Sequence, residues 1–93
     1  PGMILSNEPG YYKENEYGIR TENLVVIKEN NNNKLYFENI SWCPIDLDLI
    51  DSSMLDQIER HWLNKYHKKV YDTLETYLEN KEKDWLKEVT SEV

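Results

Sequence analysis

The pattern of hydrophobic and polar positions changes near residue 45. Residues 1–45 contain short apolar runs rich in β-branched and aromatic residues, together with all three glycines and all three prolines. In residues 46–93 the apolar residues are mostly three or four positions apart, among Leu, Glu, Lys and Asp. The first pattern is typical of strands and turns, and the second is typical of helices. We therefore expect an α+β chain with antiparallel strands first and helices afterwards.

Three strands are predicted in the first part. Residues 3–7 form a short strand that ends at Glu8-Pro9-Gly10, because proline presets φ for a turn and glycine tolerates positive φ. Residues 19–27 form the strongest strand, and its last four residues, 24–27, are apolar on both faces, which predicts burial between layers. Residues 35–43 form the third strand.

The connections between these strands are polar. Residues 11–17 are expected to form a polar connection with an acidic tip at Glu14 and Glu16. The four asparagines at residues 30–33 indicate a mobile loop. The short distance between the second and third strands predicts that these two form a hairpin.

A long helix and a short one are predicted in the second part. Asp51, Ser52 and Ser53 mark the start of the long helix, and Ser53 with Asp56 resembles a capping box. The apolar spacing continues to about residue 80, and a second short helix is expected around residues 85–89. One stripe of the long helix contains Leu55, Ile58, Trp62, Leu63, Tyr66, Val70, Leu74, Tyr77 and Leu78.

Composition and charge limit the possible partners. The 93 residues include 11 basic and 18 acidic side chains, so the net charge is −7, which argues against nucleic-acid phosphates and anionic membranes. No apolar run reaches the roughly 18 residues of a membrane span. Cys43 is the single cysteine, which excludes an internal disulfide and fits a cytoplasmic protein. Because the sequence begins at Pro1, we expect the polypeptide to continue upstream.

Two carboxylates are the strongest candidates for chemistry. Glu8 ends the first strand, and Glu22 lies in the second strand on the same face as Arg20. If the two strands are antiparallel neighbours, Glu8 and Glu22 point to one face of the sheet, where a hard divalent cation such as Mn²⁺ would satisfy both. Alternatively, Arg20 and Glu22 form an exposed ion pair and Glu8 is a solvated turn residue.

The remaining reactive side chains give weaker signals. His61 and His67 are six positions apart, whereas ligand pairs on one helix need a spacing of three or four. We therefore expect surface or half-buried roles for both. Cys43 has no neighbouring base that would activate it, so we interpret it as structural. Trp62, Tyr66 and Val70 indicate a core or an interface rather than a cofactor site.

Two segments together resemble one enzyme family. Residues 2–12, GMILSNEPGYY, and residues 17–26, YGIRTENLVV, resemble the late metal-binding segment of aminopeptidase P, the Xaa-Pro aminopeptidase family. Residues 35–38, LYFE, with 43–45, CPI, resemble the end of the catalytic domain in the long, eukaryotic-type form. WLNKYH at residues 62–67 is similar to its carboxy-terminal extension.

The resemblance implies a fold and a metal site. The fold would be the carboxy-terminal fragment of a pita-bread (creatinase/aminopeptidase-like) catalytic domain. The site would hold two divalent ions, usually Mn²⁺, bound by five protein ligands. Glu8 matches a ligand that is also a catalytic proton acceptor, Glu22 matches the ligand shared by both metals, and Arg20 matches an arginine that orients carboxylates. Two aspartates and a histidine would come from upstream.

The resemblance also implies an activity and an assembly. The complete enzyme would remove the first residue from peptides with proline second, by attack of a metal-bridging hydroxide, and the isolated fragment would be inactive. Residues 1–45 would end the catalytic domain. Residues 46–93 would form a helical extension that supports a cytoplasmic homodimer, with Trp62, Tyr66 and Val70 as interface candidates. The alternatives are a non-catalytic dimerisation or protein-interaction module and the tail of a pseudo-enzyme.

Overall fold

The protein folds as two compact units. A computed structural model describes all residues, 1–93, and divides them into Pro1–Trp42 and Cys43–Val93. The predicted fold class is confirmed, because antiparallel strands precede a long helix and a shorter one. The elements are β1 (Ile4–Asn7), β2 (Gly10–Lys13), β3 (Tyr17–Arg20), β4 (Asn23–Glu29), β5 (Leu35–Asn39), α1 (Gln57–Leu74) and α2 (Asn80–Val89).

The first unit is built on a three-stranded antiparallel sheet in the order β1-β4-β5. The predicted hairpin between the second and third strands is confirmed as β4–β5. Its connection is a tight turn rather than the mobile loop that we expected. The side chain of Asn30 accepts hydrogen bonds from the backbone N–H groups of Asn32 at 2.9 Å and Lys34 at 3.1 Å. Asn33 adopts a left-handed φ of 58°, which asparagine tolerates well.

The expectation of a polar connection over residues 11–17 is wrong. Most of this segment forms the hairpin β2–β3, closed by a turn in which Glu16 N–H donates to the Lys13 carbonyl at 3.0 Å. Asn15 supplies the left-handed φ of 59° at the tip. The tyrosines on both sides of this tip favour strand conformation, and this preference outweighs the polar composition.

The single strand predicted over residues 19–27 is divided into β3 and β4, with Thr21 and Glu22 between them. Within residues 24–27, only Val25 is buried, at 8% exposure, and Leu24 is 45% exposed. The expected burial between layers is therefore not found in this chain, because no element of the first unit covers the second face of β4.

The third strand is shorter than predicted and ends at Asn39. Beyond this end, the side chain of Ser41 forms hydrogen bonds to β4. Its hydroxyl accepts from Leu24 N–H at 2.8 Å and donates to Asn23 Oδ1 at 2.9 Å. This pair of bonds attaches the end of β5 to the start of β4.

The second unit begins with two single 3₁₀ turns, Leu47–Leu49 and Ser52–Met54, before α1. The predicted capping box of Ser53 with Asp56 is wrong. The N-cap of α1 is Asp56, which accepts from Glu59 N–H at 2.8 Å, and the Glu59 carboxylate accepts from Asp56 N–H at 3.0 Å. Ser53 instead donates to Asp51 within the second 3₁₀ turn.

The interior of the second unit comes from both helices. Leu63, Tyr66 and Val70 of α1 and Leu86 of α2 are buried. Burying an apolar side chain of this size contributes about 1.5–3 kcal/mol. Tyr66 and Val70 therefore belong to the interior, and of the three interface candidates only Trp62, at 55% exposure, is available to a partner. The long helix ends at Leu74, before a 3₁₀ turn and α2. No helix has the length and apolar character that a membrane span requires.

The capping box of α1 generates a stability prediction. Replacing the N-cap in Asp56→Ala leaves the Glu59 N–H without its acceptor, so the free energy of unfolding should fall by about 1 kcal/mol. Asp72→Ala is the matched control, because Asp72 lies on the same helix in an exposed ion pair with Lys68 that contributes at most about 0.5 kcal/mol. Urea unfolding followed by circular dichroism at 222 nm measures both variants. Equal losses would contradict the assignment of Asp56 as the cap.

Candidate metal centre

The pairing register of the first unit places Glu8 opposite Glu22. In β1–β4 the paired residue numbers sum to 30, as in Ile4 with Val26 (4 + 26 = 30). In β2–β3 they also sum to 30, as in Gly10 with Arg20 (10 + 20 = 30). The two ladders therefore continue each other without an inserted residue, and Glu8 and Glu22 (8 + 22 = 30) occupy opposed positions in the gap between them.

The interruption at these positions comes from Pro9, which has no N–H to donate. Its carbonyl still accepts from Thr21 N–H at 3.0 Å, so the two chain segments stay paired through the gap. Opposed residues on an antiparallel pair project to one face with Cβ atoms about 4.5–5.5 Å apart. The predicted convergence of the two carboxylates is consistent with this register.

Arg20 lies on the same face as this pair, because side chains alternate along the strand. Its guanidinium forms an ion pair with the Glu22 carboxylate at 3.0 Å. The charge of Glu22 is the main cause that raises the pKa of Arg20, and Tyr12 and Glu8 add to the rise. Arg20 and Glu22 are 50% and 39% exposed, so water screens the pair and it contributes little to stability. The ion pair restricts the positions that the Glu22 carboxylate can take.

Tyr12 lies on the same face of the β2–β3 hairpin as Arg20. Two glycines, which have no side chain, leave room for its ring. A Cβ atom at Gly18, which is paired with Tyr12, would lie 2.7 Å from the Tyr12 ring. A Cβ atom at Gly10 would lie 2.7 Å from the Tyr12 hydroxyl oxygen. The ring therefore extends flat over both glycines, toward Arg20, the residue paired with Gly10. Tyr11 lies on the opposite face, where its ring is 6.0 Å from that of Tyr17.

The donor set of this face fits part of a metal site. Glu8 and Glu22 offer carboxylate oxygens, which hard divalent cations such as Mn²⁺ and Mg²⁺ prefer. The chain contains no group of three or more His, Cys, Asp or Glu side chains that could hold a metal ion. The two glutamates can therefore contribute to a metal centre, and the chain by itself does not build a complete one.

The other candidate side chains lie in the second unit, outside this centre. His61 is exposed, as expected, but His67 is completely buried, which corrects the expectation of a surface or half-buried role. Its Nε2 accepts from Ile45 N–H at 2.9 Å, and its Nδ1 has no partner. The thiol of Cys43 is exposed, and the backbone of Cys43 bonds to the Tyr66 hydroxyl.

No role was assigned to Tyr12 from the sequence. The signal that identifies it is the alternation of Gly10, Tyr12, Gly18 and Arg20 in one register, which requires the β2–β3 hairpin to be recognised first. The burial of His67 has a weaker signal, its position next to Tyr66 and three residues before Val70 on the apolar stripe.

Comparison with known proteins identifies relatives along the entire chain. The profile of metallopeptidase family M24 matches residues 1–29, and the profile of the C-terminal region of peptidase M24 matches residues 33–93. A probable Xaa-Pro aminopeptidase P of Coprinopsis cinerea is 43% identical over 99% of this chain. Aminopeptidase P1 of Arabidopsis thaliana is 38% identical over 98% of it. The chain spans only 16% and 15%, respectively, of these two relatives.

A solved structure matches the same region. The X-prolyl aminopeptidase of Caenorhabditis elegans, described as a cytosolic enzyme with a di-nuclear active site, superimposes with a TM-score of 0.80. It is 31% identical in sequence, and the match covers 97% of this chain and 16% of that one. The two profiles are separated by residues 30–32, within the β4–β5 turn. The sequence boundary between the two compact units lies later, between Trp42 and Cys43.

The arrangement around Tyr12 generates a prediction about metal affinity. Tyr12→Phe removes the hydroxyl that reaches toward Arg20, so the orientation of Glu22 is weakened, and affinity of the complete polypeptide for Mn²⁺ should fall about tenfold. Tyr11→Phe is the matched control on the opposite face and should leave affinity unchanged. Isothermal titration with Mn²⁺ measures both. Equal affinities in the two variants would show that Tyr12 does not support the site.

Proposed function

Because the chain belongs to the metallopeptidase family M24, we propose that it supplies Glu8 and Glu22 to the two-metal site of an Xaa-Pro aminopeptidase. The single observation that carries this proposal is the pairing register, which is the same on both sides of the gap and therefore places Glu8 opposite Glu22 on one face. The family match alone would not say which side chains of this chain converge. The substrate class is a peptide with proline in the second position, after the names of the relatives.

In this proposal the metals, when bound, polarise the carbonyl before proline and lower the pKa of water. The residues of this chain prepare the site for that chemistry. Glu8 and Glu22 bind the metals, and the cations remove the repulsion between two opposed carboxylates. Glu8 is also the proposed proton acceptor. Arg20 holds Glu22 through the 3.0 Å ion pair and neutralises part of the negative charge.

The remaining ligands must come from outside this chain, because its own side chains form no group of three that could hold a metal. We therefore propose that the isolated chain is inactive. Mn²⁺ is the proposed ion because carboxylate ligands favour hard cations. A cytoplasmic location is proposed from the single cysteine and from the Caenorhabditis elegans relative, which is described as cytosolic.

The central test of this proposal changes one ligand without changing its shape. Glu22→Gln in the complete polypeptide removes the charge that binds the metals, so Mn²⁺-dependent release of the first residue from an Xaa-Pro peptide should fall more than about 100-fold. Glu38→Gln is the control, since Glu38 forms an exposed ion pair with Lys28 at 2.8 Å in the same sheet. A chromatographic assay of the released amino acid measures both. Full activity of Glu22→Gln would refute the metal assignment.

Two alternatives remain distinguishable by experiment. In a pseudo-enzyme, the fold and Arg20–Glu22 pair persist but upstream ligands are lost, so a folded, metal-supplied polypeptide would release nothing even without substitution. A non-catalytic dimerisation module would also release nothing, but Trp62→Ala would weaken its association into dimers. The intact set of Glu8, Arg20 and Glu22 favours the enzyme over both alternatives.

We also propose that α1 contributes to a homodimer. Trp62 is 55% exposed, and its ring stacks on Tyr66 with centroids 5.3 Å apart. Ile58, one helical turn earlier, is 81% exposed. Residues four apart share a helix face, so the exposed parts of these two side chains form one apolar patch on α1. A second copy of the polypeptide would bury this patch.

The patch predicts the effect of a single substitution on assembly. Trp62→Ala removes most of its apolar area, so the dimer dissociation constant of the complete polypeptide should rise at least about tenfold. Trp85→Ala is the matched control, because Trp85 is a tryptophan of nearly equal exposure, 56%, on the other helix, α2. Light scattering across a dilution series measures both. An unchanged mass for Trp62→Ala at low concentration would contradict the proposed interface.

A further inference from the structure

The buried imidazole of His67 is a titratable group that the proposed metal chemistry does not use. It lies on α1, with no exposed surface, and its Nε2 accepts a hydrogen bond from the backbone N–H of Ile45 at 2.9 Å. An imidazole nitrogen can accept only when it carries no hydrogen. The structure therefore requires the neutral ring, with the hydrogen on Nδ1.

The hydrogen on Nδ1 has no acceptor in the structure. A second proton on the ring would occupy Nε2 and place this N–H against the N–H of Ile45, while Nδ1–H would still have no acceptor. Burial is the main cause that lowers the pKa of His67, because it removes water from the charged form. The geometry and the desolvation therefore act in the same direction.

The segment held by this bond contains a second attachment to the same helix. The hydroxyl of Tyr66 donates to the carbonyl of Cys43 at 2.7 Å and accepts from its N–H at 3.3 Å. Neighbouring side chains of α1 thus anchor Cys43 and Ile45, the residues that directly follow Trp42 at the end of the first unit. Only the attachment at Ile45 depends on a group that titrates near neutral pH.

No ion pair to His67 comes from its own helix, the anchored segment or α2. On α1, the Tyr66 ring lies 5.7 Å from the imidazole. On the anchored segment, the thiol of Cys43 and the carboxylate of Asp46 are both exposed. On α2, the charged neighbours of the buried Leu86 are exposed as well, namely Lys87 and Glu88. His67 forms no ion pair, so no carboxylate stabilises its charged form.

We propose that the Ile45–His67 hydrogen bond is a proton-sensitive anchor, which holds residues 43–45 on α1 at neutral pH and releases them when the ring is protonated. The released ring is in water and titrates near its ordinary value of about 6.5. The anchored ring titrates lower, because it is buried. Anchoring is therefore complete above about pH 6.5 and is lost as the pH falls toward the value of the anchored ring.

The size of the effect follows from one proton taken up on release. Below about pH 6.5 the released fraction should rise up to tenfold for each pH unit. Between pH 7.5 and 5.5 the protection of the Ile45 amide against hydrogen exchange should therefore fall about tenfold after correction for intrinsic rates. Hydrogen–deuterium exchange with mass spectrometry on the complete polypeptide measures this, using overlapping peptides that isolate residue 45.

Two variants separate the anchor from other effects of acid. His67→Gln keeps a side-chain carbonyl that can accept from Ile45 but does not titrate, so protection should not change with pH. His61→Gln is the matched control, because His61 is an exposed histidine on the same helix, and it should keep the tenfold change. A tenfold change that survives in His67→Gln would overturn the proposal.

The unsubstituted protein provides a test even if His67→Gln does not fold. Constant protection at residue 45 from pH 7.5 to 5.5 would overturn the proposal. So would an equal loss of protection throughout residues 63–70, since acid would then unfold the helix rather than release the segment. A loss confined to residues 43–45, with the centre of α1 still protected, would support it.

Discussion

The structure of the first unit depends on one constraint, the constant antiparallel register between residues 4–13 and residues 17–26. Because side chains alternate, a slip of one residue would move Glu8 or Glu22 to the opposite face. The register is fixed at one end by the three-residue turn between Lys13 and Tyr17 and at the other by pairing of β1 with β4. The candidate metal centre lies where the ladder is interrupted, between these two fixed ends.

Pro9 lies beside the opposed pair of glutamates, where the two ladders are interrupted. Thr21 N–H donates to the Pro9 carbonyl, so these two residues form a hydrogen-bonded pair, and the next pair, Glu8 and Glu22, is a non-hydrogen-bonded pair. The missing N–H of proline opens the ladder for two residue pairs, while the Thr21–Pro9 bond keeps the strands together. On one side of the gap Arg20 holds Glu22, and on the other Ser41 ties Asn23 to the end of β5. Glu22 is therefore positioned from both directions along its own chain.

Sequence reasoning predicted the elements whose signals are local. The β4–β5 hairpin, the two helices and the shared face of Arg20 and Glu22 follow from apolar spacing and alternation. It failed where two local signals competed. Ser53 and Asp56 are both good caps, and the 3₁₀ turn with Asp51 engages Ser53 first. Residues 11–17 combine turn-forming and strand-forming side chains, and cross-strand pairing decides between them.

Other features depend on information that no local pattern contains. The burial of His67 is set by the Cys43–Ile45 segment, which lies more than twenty residues earlier in the chain. The exposure of Leu24 reflects the absence of a covering layer within a chain that spans about one sixth of its relatives. The same reason accounts for a centre with two carboxylates and no third ligand. Under the proposed function, the two apolar faces of β4 and the pair of carboxylates without a third ligand have one physical explanation, because other segments of a longer polypeptide would cover both.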